Sequence, residues 1–297
     1  MHEVRNIIAS DTDSMYICVN NLLKKIYPNI EEKSREERIQ ILLKMANHLQ
    51  TKANENLNNI SSDLFNVKDK HYFELKQEVV AESAYWSGKR RYAMYIVNKE
   101  GISLEELDFK GLDLMKSNFP PYFKRFGEQV IKDVLFSRPK AEIDKEIQQF
   151  RKSLPKTDWN LLLKPTGLKK LEEYIELPPI GDTVFSTLKS RTPINTRAAS
   201  LYNDIIRFKK LNIEYPEFKI GDKIYYAYLK PNPYKINVIG FNGYNDPPEI
   251  KDLVEEFIDK ELLFDSVLKN KLENLYKDLK WSFPSLNPNV EKFFTFN

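Results

Sequence analysis

The opening stretch of the chain sets two short apolar runs around a charged tetrapeptide. Ile7 and Ile8 precede Asp11-Thr12-Asp13-Ser14, and Met15, Tyr16, Ile17 and Val19 follow it. Strand-forming residues on both sides of a polar turn predict a β-hairpin with the aspartates at or beside its tip. In an extended segment residues i and i+2 point the same way, so Asp11 and Asp13 are expected to share a face. Two carboxylates on one face are costly unless water or a cation lies between them.

The period then changes. Ser34 with Glu37 has the form of a capping box. Ile39, Leu42, Leu43, Ala46, Leu49, Ala53 and Leu57 follow at helical spacing, which predicts an amphipathic helix over 35–58. In "HYFELKQEVV", Phe73, Leu75, Gln77 and Val79 alternate with Glu74, Lys76 and Glu78, the period of a half-buried strand. "KRRYAMYIV", after Ser87-Gly88, predicts another. These elements describe an α+β domain on an antiparallel sheet.

Near Gly111 the character shifts. Phe123, Phe126, Val130 and Val134 fall on one face of a helix over 120–136. "PKAEIDKEIQQFRKSL" and "NTRAASLYNDIIRFKKL" predict two more helices. "DKIYYAYLKPNPYKINVIGF" is a β-rich interruption, and helical stretches run from about Ile250 to Leu279. The tail "PSLNPNVEKFFTFN" is marked by proline and ends in Phe293, Phe294 and Phe296.

Composition adds bounds. A 41% hydrophobic share in 297 residues argues for folded domains with a sizeable core. No apolar run reaches the length of a membrane span and no signal peptide opens the chain, so a soluble, cytoplasmic protein without a membrane partner is expected. The single cysteine, Cys18, excludes an internal disulfide framework. A net charge of +3 does not single out a nucleic-acid binder. His2, His48 and His71 show no ligand spacing, and no Gly-rich phosphate loop is present.

Three groups of residues carry candidate chemistry. The aspartate pair suits a hard divalent cation such as Mg²⁺, which takes a few carboxylates plus substrate phosphates; a solvated turn is the plain alternative. "SGKRRYA" places three cations, Lys89, Arg90 and Arg91, before Tyr92. Strand alternation would put Arg90 and Tyr92 on one face, fit to line a nucleic-acid groove; a charged edge strand is the competing reading. Lys110, Lys116, Lys124, Arg125, Arg191 and Arg197 are scattered through loops and helix starts. Ser117 and Asn118 precede Pro120-Pro121, where the free N–H groups of a helix start suit a phosphate.

Taken in order, these segments resemble the carboxy-terminal part of a family B DNA polymerase, most closely the replicative polymerases of T-even-type bacteriophages. "DTDSMYICV" is similar to the third palm motif and "GKRRYA" to the lysine–arginine–tyrosine motif. "FKGLDLMKSNFPPYFKRFGEQVIKDVL" resembles the segment entering the thumb, "TPINTRAASLYN" a later thumb helix, and "DKIYYAYLKPNPYKINVIGF" its β insertion. The resemblance spans essentially the whole chain. It departs in two places: Ala9-Ser10 stand where Tyr-Gly is frequent, and Arg90 stands at the first position of the Lys-x-Tyr triplet.

The resemblance implies residues 1–113 as the carboxy-terminal half of a palm, 114–286 as a mainly helical thumb with a small β insertion, and 287–297 as a sliding-clamp peptide carrying Val290, Phe293, Phe294 and Phe296. It implies DNA-templated nucleotide addition with dNTP, using two Mg²⁺ ions. Asp13 is the stronger direct ligand, and Asp11 shares or tunes the site. Ser14, Lys89, Arg90, Arg91, Tyr92, Lys116, Ser117, Asn118 and Arg197 would contact primer–template DNA. Motifs resembling DxxSLYP and KxxxNSxYG do not occur, nor does an exonuclease domain. The chain is therefore expected to need an amino-terminal polymerase portion as partner, as the product of a split gene or as a fragment. A non-catalytic DNA-binding and clamp-tethering subunit, a decayed gene product and a metal nuclease are the alternatives.

Overall fold

The computed structural model describes residues 6–67, 73–115, 119–181 and 183–286. The chain divides into two compact units, 1–112 and 113–297. Helix is mixed with sheet, and every strand pairing among the described residues is antiparallel.

The first unit begins with the hairpin of β1 (Ile7–Asp11) and β2 (Ser14–Ile17), in which Asp11 pairs with Ser14 and Ala9 with Tyr16. Helix α1 (Asn20–Ile26) and helix α2 (Arg35–Phe65) follow. The capping box at Ser34 forms as expected: Glu37 N–H donates to Ser34 Oγ at 3.2 Å, and Ser34 N–H donates to Glu37 Oε2 at 3.0 Å. The helix runs seven residues beyond the expected end, to the left-handed cap at Asn66 (φ 51°). Asn is one of the few side chains that tolerate that conformation.

A three-stranded sheet completes the unit, in the order β3 (Val79–Gly88), β4 (Arg91–Lys99), β5 (Ile102–Lys110). Strand β4 is central and buried from Tyr92 through Asn98, as expected for a strand covered on both faces. Its turn into β5 uses Glu100 and Gly101, both at positive φ (52° and 86°), the twist a two-residue hairpin requires.

The alternating segment 73–78 is not a strand; pairing begins at Val79. Side chains of α2 take its backbone groups instead. Leu75 N–H donates to Asn54 Oδ1 at 2.8 Å, and Gln77 N–H donates to Gln50 Oε1 at 2.5 Å. Satisfied by the helix, those groups leave no ladder to join. Arg35 ties the start of α2 to all three strands, donating to Glu82 Oε2 of β3 (2.9 Å), Glu105 Oε1 of β5 (2.6 Å) and Tyr95 Oη of β4 (3.3 Å).

The second unit starts with α3 (Pro121–Leu135) and α4 (Lys140–Ser153), whose packing is aromatic: Phe126 stacks on Phe150 with centroids 3.8 Å apart. Short strands β6 (Thr166–Gly167), β7 (Ile175–Leu177) and β8 (Thr187–Leu188) lead to α5 (Ile194–Phe208), buried almost throughout. Strands β9 (Lys223–Tyr228) and β10 (Val238–Phe241) form the β insertion. Gly240 lets β10 approach α5, since a Cβ there would lie 2.8 Å from the Ala198 carbonyl oxygen. Two polar side chains of α5 find partners inside the unit. Asn203 accepts from Phe218 N–H (2.8 Å) and donates to its carbonyl (2.9 Å), while Asp204 accepts from Ser186 N–H (2.8 Å) and Oγ (2.9 Å). Helices α6 (Pro248–Phe257), α7 (Lys260–Phe264) and α8 (Asn270–Asp278) end the unit, the last two joined by a π-helical turn at Asp265–Lys269.

Candidate functional site

The aspartate pair sits on a two-residue turn, Thr12-Asp13, closed by the Asp11–Ser14 pair. Thr12 is left-handed (φ 57°), which is unusual for a β-branched residue. This corrects the alternation argument. Asp11 ends β1 and Asp13 lies in the turn beyond it, so the two do not share a face by strand period. Ser14 Oγ donates to the Asp11 carbonyl at 3.1 Å and braces the turn.

The lysine–arginine–tyrosine segment is likewise a turn for half its length. Lys89 and Arg90 form the two-residue loop between β3 and β4, closed by the Gly88–Arg91 pair. Arg90 is left-handed (φ 58°), so it does not share a face with Tyr92 by alternation. Lys89, Arg90 and Arg91 are exposed, whereas Tyr92 is 5% exposed and belongs to the core.

These two turns meet. Arg90 donates from Nε to Asp11 Oδ2 at 2.6 Å and from Nη2 to Asp11 Oδ1 at 2.8 Å, a bidentate fork on the carboxylate. Those hydrogen bonds hold the Asp11 carboxyl below the ordinary aspartate range; desolvation opposes them, and the charges of Arg90, Lys89 and Lys110 assist. The same pair raises the Arg90 guanidinium further. Asp13 is exposed and makes no hydrogen bond or ion pair among the described residues.

Beneath the turns, Tyr16 of β2 packs edge-on to Trp86 (4.9 Å) and near Tyr92 (5.7 Å), and Trp86 lies 4.7 Å from Tyr92. The Tyr16 and Tyr92 hydroxyls are 3.5 Å apart. Burial pushes the Tyr92 phenol up, and Tyr16 adds to the shift. This aromatic cluster seats the first hairpin on the sheet. Tyr16, Trp86 and Gly111 were not anticipated as site residues. An aromatic run ending in Gly, "AYWSG", was the available signal for Trp86.

A divalent cation fits the donor set in kind, because both side chains offer hard carboxylate oxygens. Only Asp13 has them open; both oxygens of Asp11 are engaged by Arg90. No group of three or more His, Cys, Asp or Glu side chains able to hold a metal occurs among the described residues. Arg197 lies in the first turn of α5, in the second unit. Lys116, Ser117, Asn118, Val290, Phe293, Phe294 and Phe296 lie outside the described residues. Among the described residues no helix is long and apolar enough to cross a membrane. No protein-family model matches the chain, and no curated protein matches it.

Proposed function

We propose that the chain is the carboxy-terminal portion of a DNA-directed DNA polymerase of the family B type. In this reading residues 1–113 supply half of a palm, 114–286 a thumb, and the last residues a clamp-binding peptide. One observation carries it: two segments singled out by motif, 79 residues apart, are joined by the Arg90–Asp11 fork and by the Tyr16–Trp86–Tyr92 cluster. A chance likeness of two unrelated loops would not require them to meet.

Asp13 is the direct ligand and Asp11 its neighbour. Lys89, Arg90 and Arg91 form a cationic edge for the primer–template backbone, and buried Tyr92 supports it from below. Two bound Mg²⁺ ions would supply activation of the primer 3′-hydroxyl and stabilisation of the leaving oxygen. The remaining carboxylate and the dNTP-binding surface come from an amino-terminal portion.

The test is reconstitution. The purified chain alone should not extend a primer, because positioning and electrostatics account for most phosphoryl-transfer catalysis and half of each is missing. Adding the amino-terminal portion should restore extension, and Asp13→Ala should abolish it. Extension by the chain alone would overturn the fragment reading. Near-normal turnover by Asp13→Ala would overturn the metal assignment.

A second reading, a non-catalytic DNA-binding subunit, is favoured by the engagement of both Asp11 oxygens with Arg90. It predicts tight duplex binding and no extension in any mixture.

A further inference from the structure

Two features of the Arg90–Asp11 pair are unusual together: it is geometrically complete, and it is open to solvent. Both carboxylate oxygens are taken, at 2.6 and 2.8 Å, yet the Arg90 side chain is 64% exposed and that of Asp11 31%. Each partner is presented by a two-residue turn with a left-handed residue, Thr12 in one and Arg90 in the other. The Arg90 turn is backed by Gly111, where a Cβ would lie 2.2 Å from the Arg90 carbonyl oxygen. The backbone around the fork is therefore set before the side chains meet.

We infer that Arg90 is a latch: its guanidinium occupies the Asp11 carboxylate in the place of a divalent cation and yields it when a polyanion draws the guanidinium away. This rests on the reading of the hairpin as a cation-binding tip and adds a regulation to it. A guanidinium and a divalent cation compete for the same two oxygens. Asp13 alone offers one carboxylate, a weak ligand set for a hard cation. Phosphates are the natural competitor for Arg90, because a planar fork recognises phosphate and carboxylate alike. The exposure of Arg90 leaves it within reach of a duplex backbone. Cation and DNA then bind with positive coupling, and linkage makes that coupling reciprocal.

The magnitude is bounded. An exposed ion pair of good geometry, once removed, releases Asp11 for a rise in cation affinity of about three- to fivefold.

The experiment titrates the full chain with Mn²⁺ and counts free ion by electron paramagnetic resonance, without any polymerase readout, first without DNA and then with a short duplex. Arg90→Gln should bind Mn²⁺ about three- to fivefold more tightly than wild type. Lys89→Gln, which removes a charge from the same turn but no hydrogen bond to Asp11, should tighten binding much less. Adding Asp11→Asn to Arg90→Gln should erase the increase. The short duplex should tighten Mn²⁺ binding more in wild type than in Arg90→Gln. Equal increases from Arg90→Gln and Lys89→Gln would reduce the effect to a general field and overturn the latch. Equal affinities for wild type and Arg90→Gln, with binding abolished in Asp13→Asn, would overturn the latch but leave the cation-binding tip standing. Absence of Asp13-dependent Mn²⁺ binding in every variant would overturn both.

Discussion

Gly111 stands so close behind Arg90 that a Cβ on it would lie 2.2 Å from the Arg90 carbonyl oxygen. Its φ of 64° is also one that side-chain-bearing residues rarely adopt. The residue that follows β5 thereby fixes the backbone of the turn that carries the candidate cations.

Gly111→Ala meets both penalties, backbone strain and a backbone clash. We expect a loss of about 2–3 kcal/mol in the stability of the first unit, measured by chemical denaturation. The Arg90–Asp11 fork should loosen with it. Wild-type stability in Gly111→Ala would show that the close approach is not maintained in solution.

The Asp11 carboxyl is held below its ordinary value because Arg90 favours the ionised form. A depressed value in the folded chain means the pair contributes stability above the unfolded aspartate value of about 3.9 and loses it as pH falls through the lower folded value. A carboxyl titration by nuclear magnetic resonance should find the Asp11 midpoint below the ordinary range. In Arg90→Gln it should move back up. An unchanged midpoint in that variant would mean the fork is not populated.

Binding of duplex DNA should be independent of sequence and fall steeply with salt, since phosphate interactions position without specifying. Lys89, Arg90 and Arg91 are exposed, so replacing all three by Gln should weaken binding at every sequence without unfolding the sheet. The salt slope should fall by about 0.9 for each phosphate that the variant no longer neutralises. Tyr92 is left out of that variant because it is buried in the aromatic cluster. A requirement for a defined site, or insensitivity to salt, would argue for a different function.

Asn203 satisfies both backbone groups of Phe218 from inside α5. Asn203→Ala leaves a buried N–H and carbonyl without partners, at a cost of about 2–4 kcal/mol. Amide exchange in α5 should quicken accordingly, while the depressed Asp11 midpoint stays where it is. Full protection of α5 in the variant would show that water replaces the missing amide.

Some elements were legible because neighbouring residues alone determine them. The Ser34–Glu37 box, the hairpin around Asp11–Ser14, the helical faces of α3 to α5 and the β insertion near 223–241 are of this kind. The alternating run 73–78 looked like a strand, but Asn54 and Gln50 took its backbone groups, a competition no local pattern reveals. Alternation also failed at Asp13 and Arg90. Each lies in a two-residue turn containing a left-handed residue, and side chains in a turn no longer follow the strand period. Whether Asp11 met a cation, water or an arginine was a tertiary matter. The sheet and its aromatic seat carried Arg90 across 79 residues to the carboxylate, and Gly111 held it there. Sequence set which groups could ionise; the packing of two turns decided which of them are paired and which, like Asp13, are left open.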